Sequence, residues 1–223
     1  MIGGMQLQGQ INIKIGYSLG FISANTNNEI LQQFNDLKKM EVDLVNPIPD
    51  LNFMHGVHLG LRYLIKDTGG FEFSWEGLTR SRRAVGEVTV AGMDGSIGAL
   101  FQEELFYSVN QFMFGYQSVI GNYGIGTSIG YNTLKIQQEI ATSDIKNTFF
   151  NESQFSARIN LSYYLKSNNT VSLSLQPYVQ FPLGSYNLTA LADRLDVPVP
   201  SGGSSDSFFT YGLTIVFYNG RQY

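Results

Sequence analysis

The 223-residue chain has no cysteine, so a disulfide framework and a thiolate metal site are both closed to it. Charge is scarce as well. Fourteen basic and 18 acidic side chains make a charged fraction of 14%, against roughly 25% in ordinary soluble domains. The net charge of −4 argues against the basic footprint of a nucleic-acid binder. Histidine is almost missing: His55 and His58 are the only two, and their i, i+3 spacing puts them on opposite faces of a strand. With no acidic cluster beside them they lack the spacing of a metal site; no serine adjoins either in sequence, and His58 with Ser74 and Glu76 inside the barrel is the one arrangement open to catalysis. No metal, cofactor or catalytic residue is therefore expected. No apolar run approaches the ~18 residues of a transmembrane helix. The opening Met1-Ile-Gly-Gly-Met5 has neither the basic flank nor the apolar core of a secretory signal, so an exported form is expected to have been processed.

What the chain has instead is aromatic and period two. Sixteen Phe, 13 Tyr and 24 Gly accompany a mean hydropathy of only −0.06. From Leu7 to Phe21 every odd position is apolar or Gly, while the even positions read Gln8, Gln10, Asn12, Lys14, Gly16, Ser18 and Gly20. Fifteen unbroken residues exceed the 5–6 typical of soluble strands. The pattern recurs through Val57–Ile65, Phe71–Trp75, Tyr123–Tyr131, Phe155–Leu165, Val171–Phe181 and Phe209–Phe217. One more strand is needed between Ile97 and Gly115, where both registers are partly apolar. There Leu105, Tyr107, Val109 and Met113 are assigned to the apolar face, with Phe106, Phe112 and Phe114 as misfits. The result is eight strands, over about 6–22, 53–65, 71–91, 97–115, 119–133, 153–166, 170–182 and 207–218, in a single domain spanning 1–223. Tight turns are expected at Lys66–Gly70, near Tyr116–Ser118 and at Lys166–Asn169. A short connection falls at Gly92–Ser96, and long ones at about 23–52, 134–153 and 182–206. One end is trimmed and the other carries a crown.

A closed eight-stranded sheet is either a soluble carrier, apolar inside, or a membrane barrel, apolar outside. Three features choose the second. The polar face is Gln, Asn, Ser, Thr and Gly, whereas a soluble exterior carries 25–35% charged residues. Its few charges, Lys14, Arg62, Glu72, Glu76 and Arg158, are of types that pair, as charges walled inside must. Aromatics gather at the two ends of the apolar face: Phe21, Tyr131, Phe155, Phe181 and Phe209 at the crown, Tyr63, Phe71, Phe73, Tyr163 and Phe217 at the trimmed end. That is the girdle pattern of a bilayer-spanning barrel. Hydrocarbon satisfies no backbone donor, so a sheet crosses it only when closed. Pro177 alone conflicts, since it removes a ladder donor, and a bulge is expected there.

Taken together, this all-β, antiparallel up-and-down architecture resembles the small eight-stranded outer-membrane barrels of Gram-negative bacteria, the OmpA-like and OmpX-like group. The likeness covers nearly the whole chain. Tyr211-Gly-Leu-Thr-Ile-Val-Phe217 resembles the group's assembly signal, with Gly212, Ile215 and Phe217 as its marks, although six residues follow the aromatic. With no further domain after Phe217, the wall-anchoring role of two-domain relatives is not expected. The resemblance implies short periplasmic turns, extracellular loops, and lipid with lipopolysaccharide as surroundings.

Three groups of residues are candidates for function. Lys14, Arg62, Glu72, Glu76 and Arg158 form an interior polar network that fills the lumen, with a pore as the sharper alternative. Arg80, Arg82 and Arg83, just beyond the apolar part of their strand, are placed to contact lipopolysaccharide phosphates bidentately. In the first crown loop, Asn28 is a fair N-cap, and Ile30, Phe34 and Leu37 make one apolar stripe for packing on the rim or docking a partner. Loop 182–206 holds a second apolar stretch, Leu188–Leu195. The expected role is a non-enzymatic structural or accessory barrel, touching lipopolysaccharide or other envelope proteins through its loops. A lipid-modifying enzyme, a narrow pore and a soluble carrier are the alternatives.

Overall fold

Strict alternation closes on itself. The computed structural model describes residues 9–65, 69–92, 95–140, 143–167 and 170–220. In chain order the elements are β1 (Gly9–Ser23), α1 (Asn25–Glu41), β2 (Asp43–Asn46), β3 (Phe53–Ile65), β4 (Gly69–Gly92), β5 (Gly95–Ile120), β6 (Tyr123–Ile140), β7 (Ser143–Ser167), β8 (Val171–Pro182), β9 (Tyr186–Asn187), α2 (Thr189–Arg194), β10 (Ser205–Asp206) and β11 (Phe209–Asn219). Strands β1, β3, β4, β5, β6, β7, β8 and β11 pair antiparallel in that order, and β11 returns to β1. The ring has eight members and no edge at membrane level.

The alternation sorts faces as lipid requires. Ile11, Ile13 and Ile15 are half or more exposed, while Asn12, Lys14 and Ser18 between them are buried. The same holds for Ile125 and Ile129 against Asn132, and for Phe155, Ile159 and Leu161 against Ser156, Arg158 and Ser162. Greasy side chains point out and amides point in.

In β5 the expected register is inverted. Leu105, Tyr107 and Met113 are buried, and Phe112 and Phe114 are exposed. Partners decide it, because Phe112 pairs with Trp75, Phe114 with Phe73 and Tyr116 with Phe71, all on the lipid face. Leu105 and Tyr107 lie farther along, beyond the lipid, where the apolar side of the sheet is the inner one. The strand crosses a boundary at which the polarity of its two faces exchanges, so both registers look apolar in sequence.

Other boundaries move for related reasons. The turn expected near Tyr116–Ser118 falls at Gly121–Asn122, where Gly121 takes φ 56°, a left-handed conformation easy for glycine. The long loop expected at 134–153 is instead a projecting hairpin of β6 and β7, with Leu134, Ile136 and Phe150 on its buried side. The tips expected at Lys66–Gly70, Gly92–Ser96 and Lys166–Asn169 fall partly outside the described residues. No bulge forms at Pro177: it pairs with Leu213, and the β7–β8 ladder passes from Asn160↔Tyr178 to Tyr163↔Leu175 without changing register. The irregularity lies at Tyr164/Lys166.

Above the membrane layer sits a true hydrophobic core. Ile30, Leu31 and Phe34 of α1, Leu191 and Ala192 of α2, and Ile48 and Leu51 of the connection before β3 pack on Leu78, Leu105, Leu134 and Ile136 of the extended strands. Helix α1 starts at Asn25 after Ala24, which gives no side-chain cap. Asn28, the expected N-cap, instead accepts the Leu51 amide at 2.7 Å. The orphan amide of Asn27 donates to the Asp206 carboxylate of β10 at 2.9 Å, so the last loop latches the first.

Candidate functional site

All five interior charges meet in the lumen, in two groups. Lys14 Nζ lies 2.7 Å from Glu72 Oε2, and Arg62 Nε is 3.4 Å from Glu72 Oε1. One step along, the fully buried Glu76 accepts Arg158 through both oxygens, at 2.6 and 3.2 Å, and contacts His58 Nδ1 at 3.2 Å. The Ser18 hydroxyl also donates to Glu76. Adjacent, antiparallel β3 and β4 place these groups, with Arg62 opposite Glu72 and His58 opposite Glu76. Arg158 reaches across the ring from β7, donates to Gln180 and Gln111, and lies 4.0 Å over the Tyr178 ring.

Charge alone does not find the rest of the filling. Arg62 donates to the Tyr164 hydroxyl, which donates to Gln117 at 3.0 Å, and Gln176 donates to Tyr218 at 2.6 Å. His58, Tyr164, Tyr178 and Tyr218 all occupy inward positions, so parity was the signal that could have flagged them. Among Lys14, His58, Glu72, Ser74 and Arg158 a void of about 30 Å³ remains, room for one or two water molecules. Eight strands leave an interior that side chains just fill. Among the described residues, side chains fill the lumen at this level.

The expected arginine triad does not share a face. Arg82 is buried, and burial pulls its guanidinium below the ordinary value. Arg83 points outward and pairs with Glu104 at 2.7 Å. Arg80 is half-buried, 5.6 Å over the Phe53 ring. The helix stripe is also corrected as a docking surface: Ile30 and Phe34 are buried in the crown core and Leu37 packs against it, so the stripe is spent on the protein's own fold. At the end of the chain, Ile215 and Phe217 face outward. Gly212 sits where a Cβ would come within 2.0 Å of the Leu19 carbonyl.

The crown holds its own polar cluster. Gln138 of β6 donates to the buried Glu103 of β5 and accepts from Arg194 of α2, tying the helix to the sheet. Burial pushes the Glu103 carboxyl above its usual range, and it does the same to Asp206. Among the described residues no cluster of His, Asp and Glu can hold a metal.

An apolar exterior girdled by aromatics, closed around a charge-paired interior, suits hydrocarbon and nothing else in a bacterial envelope. This is an integral outer-membrane β-barrel. No family model matches the sequence, and no curated protein matches it. Among solved structures the barrel is similar to Ail, the attachment invasion locus protein of Yersinia pestis, at 11% identity and a TM-score of 0.46 over 96% of this chain and 98% of that one. It is also similar to OprG of Pseudomonas aeruginosa, at 10% identity and 0.45 over 94% and 96%. A third is OmpT, the outer membrane protease of Escherichia coli, at 10% and 0.41 over 96% and 97%. Each likeness is one of fold alone.

Proposed function

We propose that the protein is a non-enzymatic, sealed barrel that anchors a folded extracellular cap, an accessory of the envelope working through its crown rather than its lumen. The carrying observation is the filled interior: three cations gather on two carboxylates, and the void beside them is about 30 Å³. A conducting pore has no path through such a filling. His58, the only histidine inside, has its Nδ1 held by Glu76, but no serine hydroxyl bonds its Nε2, so no nucleophile is engaged there. The cap, in contrast, is built as a small domain with its own core and presents connections 23–52 and 182–206 outward. Its contacts are lipopolysaccharide and, through those connections, other envelope proteins. On this reading residues 1–223 form one barrel domain, and Gly212, Ile215 and Phe217 serve as the assembly signal.

Purified protein in planar bilayers should show no steady current, and lipid A from cells with and without the protein should have the same mass. Mild-detergent extraction from native membranes should bring lipopolysaccharide or a second envelope protein along. Uniform open channels, or a loss of acyl chains from lipid A, would overturn the reading.

A further inference from the structure

In the crown, β2 lies along one side of β4 and β5 along the other, making a small three-stranded sheet. Its rows are Asp43–Glu87–Leu100, Leu44–Gly86–Phe101 and Asn46–Val85–Gln102. Period two sorts its faces. Leu44 and Phe101 pack on the crown core, and Gly86 between them is buried. The opposite face, with Asp43, Glu87 and Leu100, is exposed. Among the described residues nothing covers it.

Two properties set that face apart from an ordinary wet surface. The first is charge. Asp43 and Glu87 sit directly opposite each other, where Cβ atoms are about 5 Å apart and like charges destabilise the pair. Lys38 and Lys39, the cations nearest Asp43 along the chain, are engaged by Glu41 and Asp36. Among the described residues no cation pairs with either carboxylate. Four residues earlier on β4 the contrast is direct. Arg83 lies across from Glu104 and binds it at 2.7 Å, although Glu104 is also opposite Glu139; there the like-charge pair has its cation. The second property is apolar area. Leu100 beside Glu87 is 63% exposed, as is Val45, the extra residue at the irregularity in β2. Met40, three residues before Asp43, is 77% exposed. Apolar side chains rimmed by polar groups mark interaction surfaces.

We infer that this outer face of β2, β4 and β5 docks a segment of another envelope protein in which a basic side chain is flanked by apolar ones. A guanidinium or ammonium between Asp43 and Glu87 removes their repulsion, and its apolar neighbours cover Leu100 and Val45. Charge complementarity selects the occupant. Lipopolysaccharide and acidic phospholipids carry the same sign as the pair and are repelled. Two carboxylates with no third acidic ligand make a poor divalent-cation site. A second copy presenting the same face repeats the repulsion. The inference rests on the proposed accessory role of the crown, and it names the surface within connection 23–52 and the partner chemistry that fits it.

The full chain in nonionic detergent is titrated with a short fluorescent peptide alternating Arg with Leu, the same peptide with Glu for Arg, and the same with Ser for Leu, with empty micelles as the blank. The Arg–Leu peptide is expected to bind, and the other two at least about tenfold more weakly. Asp43→Asn with Glu87→Gln should weaken that binding at least about tenfold. Glu29→Gln with Asp193→Asn, the same change of net charge elsewhere on the crown, stays within about twofold. A second readout needs no peptide: Asp43→Asn alone should slow protease cleavage of the crown by up to about fivefold in low salt and leave it unchanged in high salt. Gel mobility before and after heating reports the folded barrel. Equal binding of either altered peptide, an indifferent Asp43 and Glu87 double variant, or cleavage untouched by Asp43→Asn would each overturn the assignment. So would protection of the crown by millimolar calcium that the double variant loses. A channel current or a change in lipid A mass would strike the sealed-barrel reading while leaving these ratios as they are.

Discussion

The same strands make two opposite proteins, one below the Trp75–Phe112–Tyr131–Phe155 row and one above it. Below, Phe114 and Ile129 face outward while Gln117 and Arg158 are enclosed. Above, Leu105, Leu134 and Ile136 are enclosed while Thr79 and Arg83 face outward. The period of two never changes; only the sign of the pattern does. Hydrocarbon surrounds the lower layer, so its exterior must be apolar and its polar groups satisfied within. Water surrounds the upper layer, so burial of apolar area is what holds it together. The lumen is accordingly held by paired charges and hydrogen bonds, and the crown by packing.

Breaking the lower half should cost most. Glu76→Ala strips Arg158 and His58 of their shared carboxylate and leaves a buried guanidinium uncompensated, an expected loss of about 3–5 kcal/mol, read from urea unfolding of the barrel in detergent. Glu76→Gln keeps the hydrogen bonds and should recover part of it. In the upper half Leu31→Ala removes a fully buried side chain of α1 and should cost about 2–5 kcal/mol, but locally: protease cleavage within the crown accelerates while the barrel still migrates as folded. Coincident loss of barrel and crown in that variant would mean that the two layers are one cooperative unit.

The boundary itself is tested on β5. Phe114→Arg puts a cation in lipid and should cost about 2–4 kcal/mol if the site lies near the midplane, less toward the interface, whereas Met113→Gln, facing the amide-lined lumen, should be nearly neutral. If the costs were reversed, the register would be the other one.

The smallest expected effect is a pH dependence confined to the crown. Burial raises the Glu103 carboxyl above its usual value, so the folded crown binds a proton that the opened crown releases. Stability contributed there is fully present in mild acid and declines as pH rises from the ordinary glutamate value through the raised one. Crown proteolysis should therefore quicken with rising pH over that window, and Glu103→Gln should flatten the trend.

How much of this was legible follows from where each residue sits. Ile11 to Phe21 were readable because β1 stays within one environment over its length, and one environment gives one pattern. Lys14, Arg62, Glu72, Glu76 and Arg158 were readable as interior because few charges exist and all five fall on the polar parity. Leu105 and Phe112 were misassigned because their strand leaves the lipid between them. Ile30 and Phe34 displayed a stripe whose existence was plain and whose destination was not, since a stripe records only that something covers it.

The alternation, the scarcity of charge and the placing of the aromatics determined by themselves that this chain closes into an eight-stranded barrel in a membrane, because backbone satisfaction in hydrocarbon permits almost nothing else. Tertiary structure alone decided where lipid ends and water begins along each strand and which carboxylate holds which cation. Those outcomes depend on register and on the pairing of strands far apart in sequence, and a period of two carries no information about either.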